Sequence, residues 1–141
     1  MKKTISLILA LVLCLCLSLC ACSKNNIAEE VVGVWTGTYV YQGDRYFYNG
    51  IEINPGDNYK MTINIFKGGA VEIINDSTEN DHETTYTGTW EISDDVLVIA
   101  YTPTIYGAGE IVVSWEIDIK AEPSTLTLQG SNKYFPKTLT K

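Results

Sequence analysis

Thr84-Thr85-Tyr86-Thr87-Gly88-Thr89-Trp90-Glu91-Ile92, then Ser93-Asp94-Asp95, then Val96-Leu97-Val98-Ile99-Ala100-Tyr101: this stretch decides the fold class. An extended chain repeats every two residues, so Tyr86, Gly88, Trp90 and Ile92 share one face of a strand. Ser-Asp-Asp is turn chemistry, because short polar side chains bond back to the local backbone. The β-branched run Val96–Tyr101 then returns as a second strand.

The same pattern extends in both directions. Towards the C-terminus, Glu110–Ile119 sets Ile111, Val113, Trp115, Ile117 and Ile119 against Val112, Ser114, Glu116 and Asp118. Glu122-Pro123-Ser124 turns into Thr125–Gln129, and Asn132–Thr140 closes the chain. Towards the N-terminus, Asp76–Glu83 reads as a polar loop between Ala70–Ile74 and the opening hairpin. Tyr59–Phe66 places Met61, Ile63 and Ile65 together and turns at Lys67-Gly68-Gly69. Arg45–Ile53 is a further strand, ending at the turn Asn54-Pro55-Gly56-Asp57. The first strand runs from Gly33 to about Gln42, with Trp35, Gly37, Tyr39 and Tyr41 on one face. Ile27–Val32 reads as a short helical turn leading into it. About eight strands without helices to cover a sheet favour closure, since closure removes exposed edges. The expected fold is therefore all-β, one antiparallel meander barrel over residues 33–141. Eight strands leave an interior just wide enough for side chains or one small ligand.

The chain begins differently. Met1-Lys2-Lys3 precedes an apolar run from Ile5 to Ala21, which is a secretory signal pattern. A spanning helix needs about 20 apolar residues. This run is near the lower limit, and polar Ser23-Lys24-Asn25-Asn26 follows with no cationic stop-transfer cluster. Leu19-Cys20-Ala21-Cys22 resembles the lipobox of bacterial lipoproteins: an aliphatic residue, a variable one, a small one, then the cysteine that accepts lipid. That resemblance implies a signal peptide over residues 1–21 and a lipidated Cys22 with its tether over residues 22–32. It places the chain on the extracytoplasmic face of a cell membrane, held there through lipid. All four cysteines lie at or before Cys22, so the domain behind it has no disulfide. One acyl chain binds a membrane only marginally, whereas two anchor it durably.

Composition excludes several functions. Removing Lys2 and Lys3 takes the basic count from 10 to 8 against 17 acidic residues, and the net charge from −7 to −9. Nucleic acid is an unsuitable partner, because the Lys and Arg phosphate contacts that dominate such affinity are missing. The sequence carries no signal for an oligomeric state. Nine Tyr and three Trp suit half-buried strands and ligand-facing walls alike.

Catalytic constellations are scarce. The single histidine, His82, lies in the polar loop, and no cysteine remains as a nucleophile. Asp76, Thr78, Asn80 and His82 alternate faintly like a calcium loop, but Asp81 and Thr87 stand where such a loop wants Gly and Glu. Glu116 and Asp118, with Glu91 nearby, share a face that should be wet, whereas glycoside hydrolysis needs carboxylates set across a cleft. No Gly-rich phosphate loop precedes a helix. The expectation is a non-enzyme with no metal and no cofactor. The best site candidates are Tyr46, Tyr48, Tyr101 and Tyr106, in or beside the longest irregular stretches. If those stretches meet at one rim, they form a mouth for a small apolar ligand; simple packing is the competing reading.

Gly33-Val34-Trp35 resembles the Gly-x-Trp motif of lipocalins, whose Trp plugs the closed end of the barrel. The Thr84–Ile99 hairpin resembles one common in small lipocalin-like bacterial lipoproteins. The resemblance implies a lipocalin-like barrel that binds a small hydrophobic or amphipathic molecule. A filled barrel contacting an envelope protein or polysaccharide is the alternative. Lipocalins usually pack a late Arg across the Trp. The only Arg here, Arg45, comes too early, so Lys137 would have to substitute.

Overall fold

The computed structural model describes residues 27–48, 50–79, 81–103 and 109–141. A short helix over residues 27–31 leads into β1 (Gly33–Val40). β2 (Tyr46–Tyr48), β3 (Ile51–Ile53), β4 (Asn58–Ile65), β5 (Ala70–Ser77) and β6 (Glu83–Ser93) follow. β7 (Val96–Tyr101), β8 (Ile111–Asp118), β9 (Thr125–Leu128) and β10 (Thr138–Thr140) complete the order. Eight strands close into an antiparallel barrel in the order β1-β10-β9-β8-β7-β6-β5-β4. The chain is thus all-β and a closed meander, as its alternation predicts.

The hairpin that sets the fold class forms as read. β6 and β7 pair from Gly88↔Tyr101 to Ser93↔Val96, leaving Asp94 and Asp95 as a two-residue loop. Both have positive φ, 49° and 62°. A tight reversal of this hand matches the right-handed twist of the strands it joins. Inward-facing Gly88 is required by space: a Cβ there would collide with the Ala100 carbonyl and the Tyr101 side chain.

Three expectations need correction. Arg45–Ile53 is not a stave of the barrel. Gly50 takes φ 82°, the chain folds back on itself, and β2 and β3 pair only with each other. β1 then pairs directly with β4 over eight positions, from Gly33↔Ile65 to Val40↔Asn58. Second, Asp76–Glu83 is not all loop. Asn75, Asp76 and Ser77 extend β5, Glu83 opens β6, and the Ser77 amide donates to the His82 carbonyl at 2.9 Å. Third, only Thr138–Thr140 of the closing segment is strand, because Pro136 can donate no ladder bond. It seals the barrel with a Thr36↔Thr140 pair.

Strand direction divides the barrel into two ends. The short helix and the turns at residues 66–69, 94–95 and 119–124 lie at one end. The described parts of the β1–β4, β5–β6, β7–β8 and β9–β10 connections lie at the other. The first end is solid. Trp35, Met61, Ile63, Ile73, Leu97, Ile99, Trp115, Leu126 and Leu139 are fully buried there and in the middle. Each such side chain contributes roughly 1.5–3 kcal/mol on leaving water, and this core carries the domain without a crosslink. The Trp35 indole donates to the Val31 carbonyl at 2.7 Å, fixing the helix beneath the barrel.

Candidate functional site

The inward faces change character along the barrel. β1 runs from Trp35 to Tyr39, β4 back from Tyr59 to Ile65, and β7 from Leu97 to Tyr101. Tyr39 and Tyr59 are paired neighbours on β1 and β4, and their rings stack at 5.4 Å with 21° between planes. On the opposite wall Tyr86 of β6 tilts against Tyr101 of β7 at 5.6 Å.

The inserted β2–β3 hairpin supplies the next layer. Tyr46 sets its edge to Tyr41 at 5.9 Å, and Tyr48 sets its edge to the His82 ring at 5.5 Å. That second contact joins the hairpin to the β5–β6 connection. From residues 129–137, Tyr134 tilts against Tyr41 at 5.6 Å. The Tyr41 hydroxyl donates to the Asp44 carbonyl at 2.9 Å, which folds its ring back over Gly43. A Cβ on Gly43 would occupy the space of that hydroxyl.

Together these groups enclose a cavity of about 190 Å³. Its lining holds Tyr39, Tyr41, Tyr46, Tyr48, Tyr59, Tyr86, Tyr101 and Tyr134, eight of the nine tyrosines in the chain. Ile53, Ile111, Pro103, Thr84, Asn75 and His82 complete it. A cavity of about 150 Å³ accommodates benzene, so this space suits one ring-sized group.

Six of these phenols are held in the protonated form. Burial is the main cause for Tyr39, Tyr86 and Tyr101, each held above its ordinary range, with neighbouring phenols adding to it. Burial pushes Tyr46 up to about 12. Tyr59 is raised by burial first and then by the carboxylates of Asp57 and Glu79. The site therefore offers neutral hydroxyls that both donate and accept, on aromatic walls. It also holds a fully buried acceptor, Asn75 Oδ1, which has no hydrogen-bond partner among the described residues.

Of the residues singled out from the sequence, Tyr46, Tyr48 and Tyr101 meet at this cavity. Tyr106 and Cys22 lie outside the described residues. Gly33 opens β1, and Trp35 is buried at the sealed end. Lys137 is not the cation over Trp35. Its Nζ donates to the Leu128 carbonyl at 2.6 Å and the Gly130 carbonyl at 3.3 Å. Lys141 takes the place instead, 5.6 Å from the Trp35 ring centroid. β10 runs towards the sealed end, so a residue that follows it reaches Trp35, whereas Lys137 precedes it. Sequence reasoning missed Tyr39, Tyr41, Tyr59, Tyr86 and Tyr134 as wall residues, and treated His82 as part of a solvated loop. Among the described residues, no three His, Cys, Asp or Glu side chains are grouped to hold a metal ion. Glu91, Glu116 and Asp118 are exposed on the outer face of the barrel.

No protein-family model and no curated protein matches this chain. Among solved structures, the chain is similar to a lipocalin-like protein from Bacteroides uniformis. The two are 17% identical with a TM-score of 0.39, over 79% of this chain and 94% of that one.

Proposed function

We propose that this protein is a lipid-anchored, extracytoplasmic binding protein of lipocalin type that holds a small amphipathic ligand in the tyrosine-lined cavity. One observation carries the reading: eight tyrosines from separate parts of the chain converge on a single ring-sized space. A packing role alone would be served as well by Phe or Leu, without hydroxyls to satisfy. Phenol walls suit a ligand with an apolar face and a few polar edges. Binding is the role that these walls support, because burial holds phenols such as Tyr39 and Tyr101 in their neutral, hydrogen-bonding form.

The anchoring part rests on the lipobox-like Leu19-Cys20-Ala21-Cys22 and the apolar run before it. Mass spectrometry of the protein from its own host tests this part. The expected N-terminus is Cys22 carrying a diacylglyceryl mass, and an intact Met1 refutes it.

NMR titration with p-cresol and with cyclohexanol tests the cavity. The expected result is saturable shifts confined to the rings of Tyr39, Tyr46, Tyr86 and Tyr101. Shifts that are linear in ligand and scattered over the surface would reject a ligand site there.

A further inference from the structure

The charge pattern of the cavity narrows the class of ligand. Among the described residues no Lys, Arg, Asp or Glu lines it, and the one imidazole there, His82, packs against Tyr48. An anion entering this space would leave water without meeting a fixed positive charge, which is costly. The ring faces instead carry the negative end of the aromatic quadrupole. Behind two of the wall rings stand carboxylates. Asp44 acts on Tyr41, and Asp57 and Glu79 act on Tyr59. Near the rim, Arg45 is neutralised by Glu52 at 3.1 Å. Lys133 places its ammonium 5.2 Å from the Tyr134 ring centroid, and Lys141 does the same at Trp35. This fold thus already seats cations on aromatic faces twice.

We infer that the cavity takes a small organic cation with its charge spread over alkyl groups, an alkylated ammonium of the choline kind. The inference rests on the reading of this cavity as a ligand site and specifies what enters it. Size agrees, since a trimethylammonium group is comparable in bulk with a single ring and the space is about 190 Å³. Hydrogen bonding agrees as well. A primary ammonium brings three N–H donors that all need acceptors, whereas a quaternary one brings none and needs only electron-rich surface. Any hydroxyl on the ligand could donate to Asn75 Oδ1, a buried acceptor with no hydrogen-bond partner among the described residues. The net charge, −7 for the full chain and −9 without Lys2 and Lys3, draws cations towards the protein and repels anions.

The test compares choline chloride with its uncharged isostere 3,3-dimethylbutan-1-ol, and with benzoate, by NMR titration of the tyrosine rings. Choline is expected to bind about tenfold more tightly than the alcohol, the order expected of a desolvated cation against aromatic faces. Tyr86→Leu should weaken choline about fivefold more than it weakens the alcohol, whereas Tyr86→Phe should keep the ratio of the two affinities. Tyr46→Leu, on the partly exposed hairpin, gives the same comparison should Tyr86→Leu fail to fold. Equal affinity for choline and the alcohol, or preference for benzoate, overturns the cation while leaving a ligand site. No binding of choline while p-cresol still binds overturns it in the same way. Silence towards every probe, p-cresol and cyclohexanol included, overturns the site itself.

Discussion

Lys141 Nζ lies 5.6 Å from the ring centroid of Trp35, and the same ammonium donates to the carbonyls of Glu30 at 2.6 Å and Val32 at 2.7 Å. Those carbonyls belong to the end of the short helix, where backbone acceptors have no intrahelical donor. One cation therefore ties together the chain entry, the sealing indole and the segment that follows the last strand. An aliphatic ammonium does here what the resemblance assigned to a different lysine.

Replacing Lys141 with Ala should destabilise the protein by about 1–2 kcal/mol, from the lost ring contact and two charge-assisted bonds at an exposed site. For a domain of this size that lowers Tm by roughly 3–8 °C. Lys141→Arg should retain most of the stability, since a guanidinium keeps the charge and the donors. Thermal unfolding followed by tryptophan emission measures both. An unchanged Tm for Lys141→Ala would show that the contact contributes nothing.

Gly43→Ala should displace Tyr41 from the rim, because the new methyl group takes the place of the phenol oxygen. The barrel core is remote from that position, so melting should shift by only a few degrees. Affinity for a cavity ligand should fall several-fold, as Tyr41 also positions Tyr46 and Tyr134. Calorimetry on the variant decides the matter. Unaltered affinity would remove Tyr41 from the binding wall.

Alkaline pH should weaken the fold through the tyrosines. In the unfolded chain a phenol loses its proton near 10, whereas burial holds Tyr39 and Tyr101 well above that and Tyr46 at about 12. Below pH 10 both states carry the proton, and the full stability is present. Between 10 and about 12 the unfolded state binds fewer protons, so stability falls steadily as pH rises. Titrating tyrosinate absorbance should show a delayed phase in the native protein that disappears in denaturant. Coincident titrations in the two states would contradict the burial of these phenols.

Asn75→Leu should leave stability unchanged or raise it slightly, because the substitution removes a buried acceptor that has no partner among the described residues. The same change should cost a hydroxyl-bearing ligand about 1–2 kcal/mol of affinity, roughly tenfold. Opposite signs for folding and binding are the signature to look for in paired melting and titration data. A variant destabilised by several kcal/mol would mean that Asn75 is structural.

The barrel was legible because its signal is local. Two-residue alternation in Thr84–Ile92 and Glu110–Ile119 fixes which face is buried, and Asp94-Asp95 between β-branched runs fixes a tight reversal. Where local pattern is ambiguous, the reading went astray. Arg45–Ile53 is as strand-like as its neighbours, and only the pairing of β1 with β4 shows that it stands outside the barrel. The cavity was half legible for a related reason. Tyr46, Tyr48 and Tyr101 stood out beside irregular segments, whereas Tyr39, Tyr59 and Tyr86 looked like any other inward residues. Their shared position at one end appears only when strand direction is taken into account. On upward strands the tyrosines come last, as with Tyr39 and Tyr101. On the downward strand β4, Tyr59 comes before Met61, Ile63 and Ile65.

The chain enters the barrel beneath Trp35 and carries its tyrosines at the far end. A leash running from Cys22 to Ile27 would reach at most about 17 Å, so it would keep the plugged base close to a bilayer. The eight-residue stave β1, inclined as barrel staves are, lifts the opening roughly 20 Å higher. With the proposed anchor in place, polarity of the polypeptide would become an aiming device: such a molecule would look outward, towards solutes in its surroundings rather than lipid in the sheet beneath it.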